Sequence, residues 1–268
     1  MSASVFRNVA DIHWVFLCPP LHARGSLSGQ TRYRDVPDGM IGLGWYTDDA
    51  VELFHRLAAA GIRAHDQQGN PITDAAPPRS SFASDVRFTE PADTGIRYEF
   101  QETGKRHWAK YGQEADPRLR ADWAGPVPDP ADPLGLHYTS HHTVLTRDPA
   151  RVLRLYTELL DGEIIGEGDN AELGAASTFV RLGDTVLEIA VTAGPGPETA
   201  NGRDHYRGVT YVVDDRDRVR THLATVAVPT QDTAHATVIP PEHGFGAEWC
   251  FVHEPPYPPD ARRQARLV

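Results

Sequence analysis

From His142 to Arg147 the chain reads as a short β-like run. Asp148-Pro149 then supplies a helix start, with Asp as N-cap and Pro in the first turn. Val152, Leu155, Tyr156, Leu159 and Leu160 follow at helical spacing, and Gly162 closes the helix. Three strand-like runs come next, Glu163–Gly166, Ala176–Leu182 and Thr185–Val191. Gly183-Asp184 marks a hairpin turn between the last two. The segment reads as a β-α-β-β-β unit.

The plan recurs. Gly208–Val213 is a strand, Asp214-Asp215 caps a helix carrying Val219 and Leu223, and Thr237–Ile239 and Gly246–Val252 are strands. In the N-terminal half, Met40–Tyr46 is a strand and Asp48-Asp49 a cap. Val51, Phe54, Leu57 and Ala58 form a helical stripe ended by Gly61, with strands at Ser84–Thr89 and Gly95–Gln101. Trp45-Tyr46-Thr47-Asp48-Asp49 aligns with Tyr211-Val212-Val213-Asp214-Asp215. Ser4-Val5-Phe6-Arg7 aligns with Ser177-Thr178-Phe179-Val180, and Asp11 with Asp184. Repetition on this scale is evidence about the fold itself. It gives three full units and a truncated first unit, read as lacking its first strand and helix.

Two regions break the pattern. Gln101 to Ser140 is rich in Pro, Asp and Gly, and Gly125–Pro133 can form neither a helix nor a central strand. The expected organisation is therefore an N-terminal domain over 1–100, a linker over 101–136, a C-terminal domain over 137–254 and a tail over 255–268. Trp108, Tyr111 and Trp123 suggest that part of the linker packs on a domain. The tail, with Pro-Pro-Tyr-Pro-Pro at 255–259, is expected to fray.

Composition narrows the partners. The formal net charge is -11, which disfavours nucleic acid and anionic membrane surfaces. No apolar run approaches the roughly 20 residues of a membrane span, and the first residues do not read as a secretory signal, so a cytoplasmic location is expected. Cys18 and Cys250 lack zinc-type spacing and read as two buried thiols. Gly194–Pro197 is a turn without the Lys-Ser/Thr of a phosphate loop, there is no Gly-x-Ser-x-Gly elbow, and Gly244-Phe245-Gly246 lacks the third glycine of a dinucleotide site.

His141, Val144, Asp148, Leu155-Tyr156 and Leu160-Asp161-Gly162 open the third unit, and Leu182 to Ile189 closes it. Pro240, Gly244 and Glu248 end the fourth. In that order these motifs resemble the vicinal-oxygen-chelate superfamily, the glyoxalase, bleomycin-resistance and extradiol dioxygenase proteins. The resemblance implies an α+β fold in which paired βαβββ modules form curled mixed sheets around a small-molecule site. It also implies a divalent metal (Zn, Fe, Mn, Ni or Co) held by inward-facing strand residues. Carried onto this chain, the ligand positions fall on His141, Glu188 and Glu248, and the fourth falls on Gly208. His205, three residues upstream, lies on the opposite face of a regular strand and needs a bulge to replace it. In the N-terminal half only Glu99 occupies such a position, the others being Val15 and Gly42.

Three functions compete. The first is a metal-dependent isomerase or lyase, with His141, Glu188, Glu248 and, given a bulge, His205 on the ion and Glu188 or Glu248 moving a proton. The second is an extradiol-type dioxygenase, which needs two His and one carboxylate. The third is a metal-free binding or resistance protein, with Tyr206, Tyr211 and Trp249 as stacking surfaces. All take a small-molecule substrate or ligand, and a sheet edge left open by the truncated unit favours a homodimer.

Overall fold

The computed structural model describes residues 4–18, 38–66, 69–73, 86–102, 128–170, 172–192, 203–258 and 261. Trp108, Tyr111 and Trp123, the Gly194–Pro197 turn and the start of the Ser84–Thr89 run lie outside them.

Three segments fold as the same β-α-β-β-β unit. One is β3 (Gly42–Thr47), α1 (Ala50–Ala59), β4 (Ala64–His65), β5 (Val86–Thr89) and β6 (Arg97–Glu102), with a short helix α2 (Pro91–Thr94) before β6. The next is β7 (Leu136–Thr146), α3 (Pro149–Arg154, continued by a π-helical turn over Leu155–Leu159), β8 (Glu163–Asn170), β9 (Ala175–Leu182) and β10 (Thr185–Val191). The last is β11 (His205–Val213), α4 (Arg216–Thr225), β12 (Gln231–Asp232), β13 (Thr237–Ile239) and β14 (Glu248–Val252). In each, the first strand pairs in parallel with the last, and the others follow antiparallel: β3-β6-β5-β4, β7-β10-β9-β8 and β11-β14-β13-β12. Antiparallel pairing of β7 with β11 joins the last two units into one eight-stranded mixed sheet. β1 (Ser4–Val9) and β2 (Ile12–Leu17), the strands aligned with β9 and β10, form a two-stranded sheet. The class is α+β.

Contacts divide the chain into two compact units, residues up to 125 and residues from 126, with the short stretches 10–12 and 38–40 clustering with the second.

The caps recur with the repeat. Asp49 accepts from the Val51 and Glu52 amides at 2.9 and 2.8 Å, Asp148 from Arg151 at 3.1 Å, and Asp215 from Asp217 at 2.8 Å. Each carboxylate satisfies amides that the first helical turn leaves open and sits at the positive end of the helix. After α3 the left-handed residue is Asp161, at φ 58°. Gly162 is there for a different reason: a Cβ on it would lie 2.7 Å from the Tyr156 carbonyl oxygen.

Several expectations need correction. Val51 is exposed, and α1 buries Ala50, Leu53, Phe54 and Leu57 instead, a regular helical stripe. β7 begins at Leu136, so the end of the Pro-rich stretch is strand. The tail is not loose at its start: Tyr257 is buried. Cys18 is exposed rather than buried. Among the described residues no helix is long and apolar enough to cross a membrane.

Asp215→Ala removes the α4 cap. It is expected to lower the stability of the second unit by about 1 kcal/mol, read from the urea midpoint by circular dichroism.

Candidate functional site

Strand register decides which side chains meet. On β7, Thr143 lies opposite Glu188 of β10 and Gly208 of β11. Gly208 lies opposite Glu248 of β14, Thr210 of β11 opposite His141, and Phe179 of β9 opposite Glu188. Directly paired residues project from the same face. His141, Thr143, Phe179, Glu188, Thr210 and Glu248 therefore share one face of the large sheet, termed the inner face. The three sequence-predicted ligands are on it together.

Glu188 is its centre. Only 1% of the residue is exposed, yet both carboxylate oxygens are engaged. Oε2 accepts from the Thr143 hydroxyl at 2.7 Å and faces His141 Nε2 at 3.4 Å. Oε1 accepts from the Ser177 hydroxyl at 2.7 Å and the Asn170 amide at 2.8 Å. Burial alone would raise its pKa. The hydrogen bond and charge of His141, with the bonds from Asn170 and Ser177, reverse that and hold the carboxyl down at about 2. His141 is itself buried, with Nδ1 2.9 Å from the Ser140 hydroxyl and its ring edge-on to Phe179.

Glu248 is engaged elsewhere. The Arg207 guanidinium donates to both its oxygens, Nε to Oε1 at 3.1 Å and Nη2 to Oε2 at 2.7 Å. This is a fork-to-fork pair that fixes orientation as well as charge. Arg207 reaches it because β11 slips register there: Tyr206 lies opposite Val144 but Gly208 opposite Thr143, leaving Arg207 as an extra residue. Gly208 follows from the tight approach of the two strands. A Cβ on it would lie 2.0 Å from the Glu248 carbonyl oxygen and 2.9 Å from the Glu248 Cβ.

The same bulge corrects the expectation for His205. The extra residue absorbs the odd offset, so His205, opposite Leu145, lies on the same face as Gly208. It sits four β7 residues from the level of His141, roughly 13 Å along the strand.

The stacking residues are placed otherwise than expected. Tyr206 is opposite Val144, on the reverse face, and is buried with its hydroxyl 2.5 Å from His142 Nδ1. Tyr211 is buried and stacks on Trp249 at 7° between planes, and Trp249 donates from Nε1 to the Gly244 carbonyl at 3.0 Å. Tyr206 and Tyr211 are core residues here. Burial, and secondarily the charge of His141, lowers the pKa of His142 to about 3.

Thr143, Asn170, Ser177 and Arg207 escaped the sequence reading. One signal was available: an Arg directly before the glycine at the missing ligand position is a counter-charge for Glu248.

Residues 135–255 match the family model described as Glyoxalase/Bleomycin resistance protein/Dioxygenase superfamily. They form a domain of that superfamily. No curated protein matches the sequence. Among solved structures, a methylmalonyl-CoA epimerase from Mycobacterium tuberculosis is similar at 13% identity and TM-score 0.40, covering 48% of this chain and 94% of its own. BphC, a halotolerant catechol dioxygenase, is similar at 14% identity and TM-score 0.48, over 81% of this chain and 68% of its own. A Streptomyces coelicolor methylmalonyl-CoA epimerase variant has 14% identity and TM-score 0.38, over 46% and 99%. Likenesses this remote carry no argument about activity.

Members of the superfamily commonly use a divalent metal, and the donors here fit one poorly. Glu188 is already saturated with protein donors, Glu248 is neutralised by Arg207, and Gly208 offers no ligand. Among the described residues no three His, Cys, Asp or Glu side chains converge as an ion requires.

The two shifted groups set the acid response. Since the folded pKa of His142 lies below its ordinary 6.5, the unfolded chain takes up a proton first as pH falls. Stability is complete above pH 6.5 and declines toward pH 3, and Glu188 adds to the loss from pH 4.5 toward 2. His142→Asn, whose amide can meet the Tyr206 hydroxyl, is expected to remove up to ~1.4 kcal/mol per pH unit of slope between pH 6 and 5. Urea titrations across that range check it.

Proposed function

We propose that the second unit binds a small oxygen-rich molecule on its inner sheet face without a resident divalent ion, as a metal-free binding member of the superfamily. The observation that carries this reading is the Arg207–Glu248 pair. A guanidinium occupies the coordinating edge of the carboxylate that a metal would need, and the register slip that delivers it is built into β11. Glu188 supports the same reading. With its pKa near 2 and its lone pairs committed, it is a poor base for taking a proton from carbon at neutral pH. Thr143, Thr210 and the Arg207–Glu248 pair give this face a polar character that suits an oxygen-rich ligand.

One observation favours the metal-dependent isomerase or lyase instead. His141 Nε2 and Glu188 Oε2, 3.4 Å apart, are spaced as two neighbours on one ion would be. An extradiol dioxygenase is less well supported, because Gly208 stands where its second histidine belongs.

Metal analysis of the purified chain separates the readings. The expected result is well below one Zn, Fe, Mn, Ni or Co per chain after incubation with each ion, and a melting temperature unmoved by chelator. A stoichiometric ion lost in both His141→Ala and Glu188→Ala would overturn the proposal in favour of the metalloenzyme.

A further inference from the structure

The inner face is covered by the chain itself. After β14 the sequence runs His-Glu-Pro-Pro-Tyr-Pro-Pro, residues 253–259. Proline has no amide proton, so Pro255, Pro256, Pro258 and Pro259 cannot donate to a sheet ladder, and this segment cannot join the sheet as a regular strand. What holds it is Tyr257, whose side chain is turned inward and whose residue is 4% exposed. Its ring lies 5.4 Å from Phe179 and 6.4 Å from His141, centroid to centroid, and it clusters with Phe179 and Val186. Its hydroxyl donates to the Ser140 carbonyl. Further along, the Ala261 carbonyl accepts from Arg181 at 2.5 Å. Gly166 on the edge strand β8 makes room: a Cβ there would lie 3.3 Å from the Tyr257 Cβ.

We propose that residues 253–258 form a strap that closes the inner face over His141, with Tyr257 as its plug, and that a ligand reaches the His141–Glu188 pair only when the strap lifts. This rests on the reading of the inner face as the ligand site. The strap is suited to lifting. Its grip is one aromatic side chain and a few hydrogen bonds, so its release leaves the sheet ladder intact. Tyr257 covers His141 but not His142, which projects from the reverse face beside Tyr206.

The test is carbethoxylation of His141 by diethylpyrocarbonate in the full chain, with His141 and His142 resolved by fragment ions. In Tyr257→Ala, His141 is expected to react at least ~10-fold faster than in the wild type, while His142 stays protected. Tyr257→Phe keeps the ring, loses the hydroxyl bond, and is expected to fall between. An unchanged His141 rate in folded Tyr257→Ala overturns the proposal. So does a joint rise of His141 and His142, which would make Tyr257 a support of the whole domain rather than a plug. Should Tyr257→Ala not fold, Gly166→Val crowds the Tyr257 Cβ from β8 to push the strap outward and is read by the same criteria. The readout uses neither metal nor ligand. A fixed strap would leave the metal-free reading standing, and a bound metal would leave the strap standing.

Discussion

An ionised carboxylate buried under a β-sheet is the constraint around which the second unit is organised. Water stabilises a carboxylate by an amount the protein interior cannot match, so the charge survives only if donors are already in place. Glu188 has them from strands on both sides and beyond: Thr143 from β7, Ser177 from β9 and Asn170 from the end of β8, with His141 alongside. Removing one partner of such a group costs about 3–5 kcal/mol. The pairing of β10 with both β7 and β9 is therefore tied to the identity of one side chain as well as to apolar burial. The reverse face needs no such arrangement. Val144, Val180, Leu187 and Ile189 there are fully buried, and Val152 of α3 and Leu155 and Tyr156 of the turn that continues it are buried too.

The second carboxylate is handled by the opposite device. Glu248 is paired with a cation that an irregularity in the neighbouring strand brings to it. Gly208 and Arg207 are two parts of one solution. The glycine lets β11 and β14 approach where a side chain would strike the Glu248 backbone, and the extra residue beside it carries the guanidinium. In the first unit Gly42 is close-packed in the same way, its Cβ position 2.4 Å from the Arg97 carbonyl oxygen. There the register differs, with Glu99 opposite Gly44 rather than Gly42. Two repeats with the same strand order thus differ by two residues in the pairing that would set a ligand site.

The strap extends this closure. A curled sheet face is open to water unless something covers it, and here Tyr257, between prolines, packs over His141. The hydrophobic gain from burying that ring is a few kcal/mol at most. A cover of that strength can be displaced by a ligand without unfolding the sheet beneath it.

Much of the fold was legible in the chain. Helix caps at Asp49, Asp148 and Asp215, the hairpin glycine Gly183 and the β-like runs of β9 and β10 are local signals, set by backbone hydrogen bonding and turn geometry. Their repetition identified the β-α-β-β-β unit, and the positions of His141, Glu188 and Glu248 within it placed them on one face. Tertiary structure decided what those residues do. A one-residue slip at Arg207 lies outside any alternation rule, because it depends on how two strands fit, and it both turned His205 to the inner face and gave Glu248 its cation. Likewise, a Pro-rich segment reads as loose because it has no ladder to join. Only the packing of its ring against Phe179 and His141 shows why its tyrosine is held.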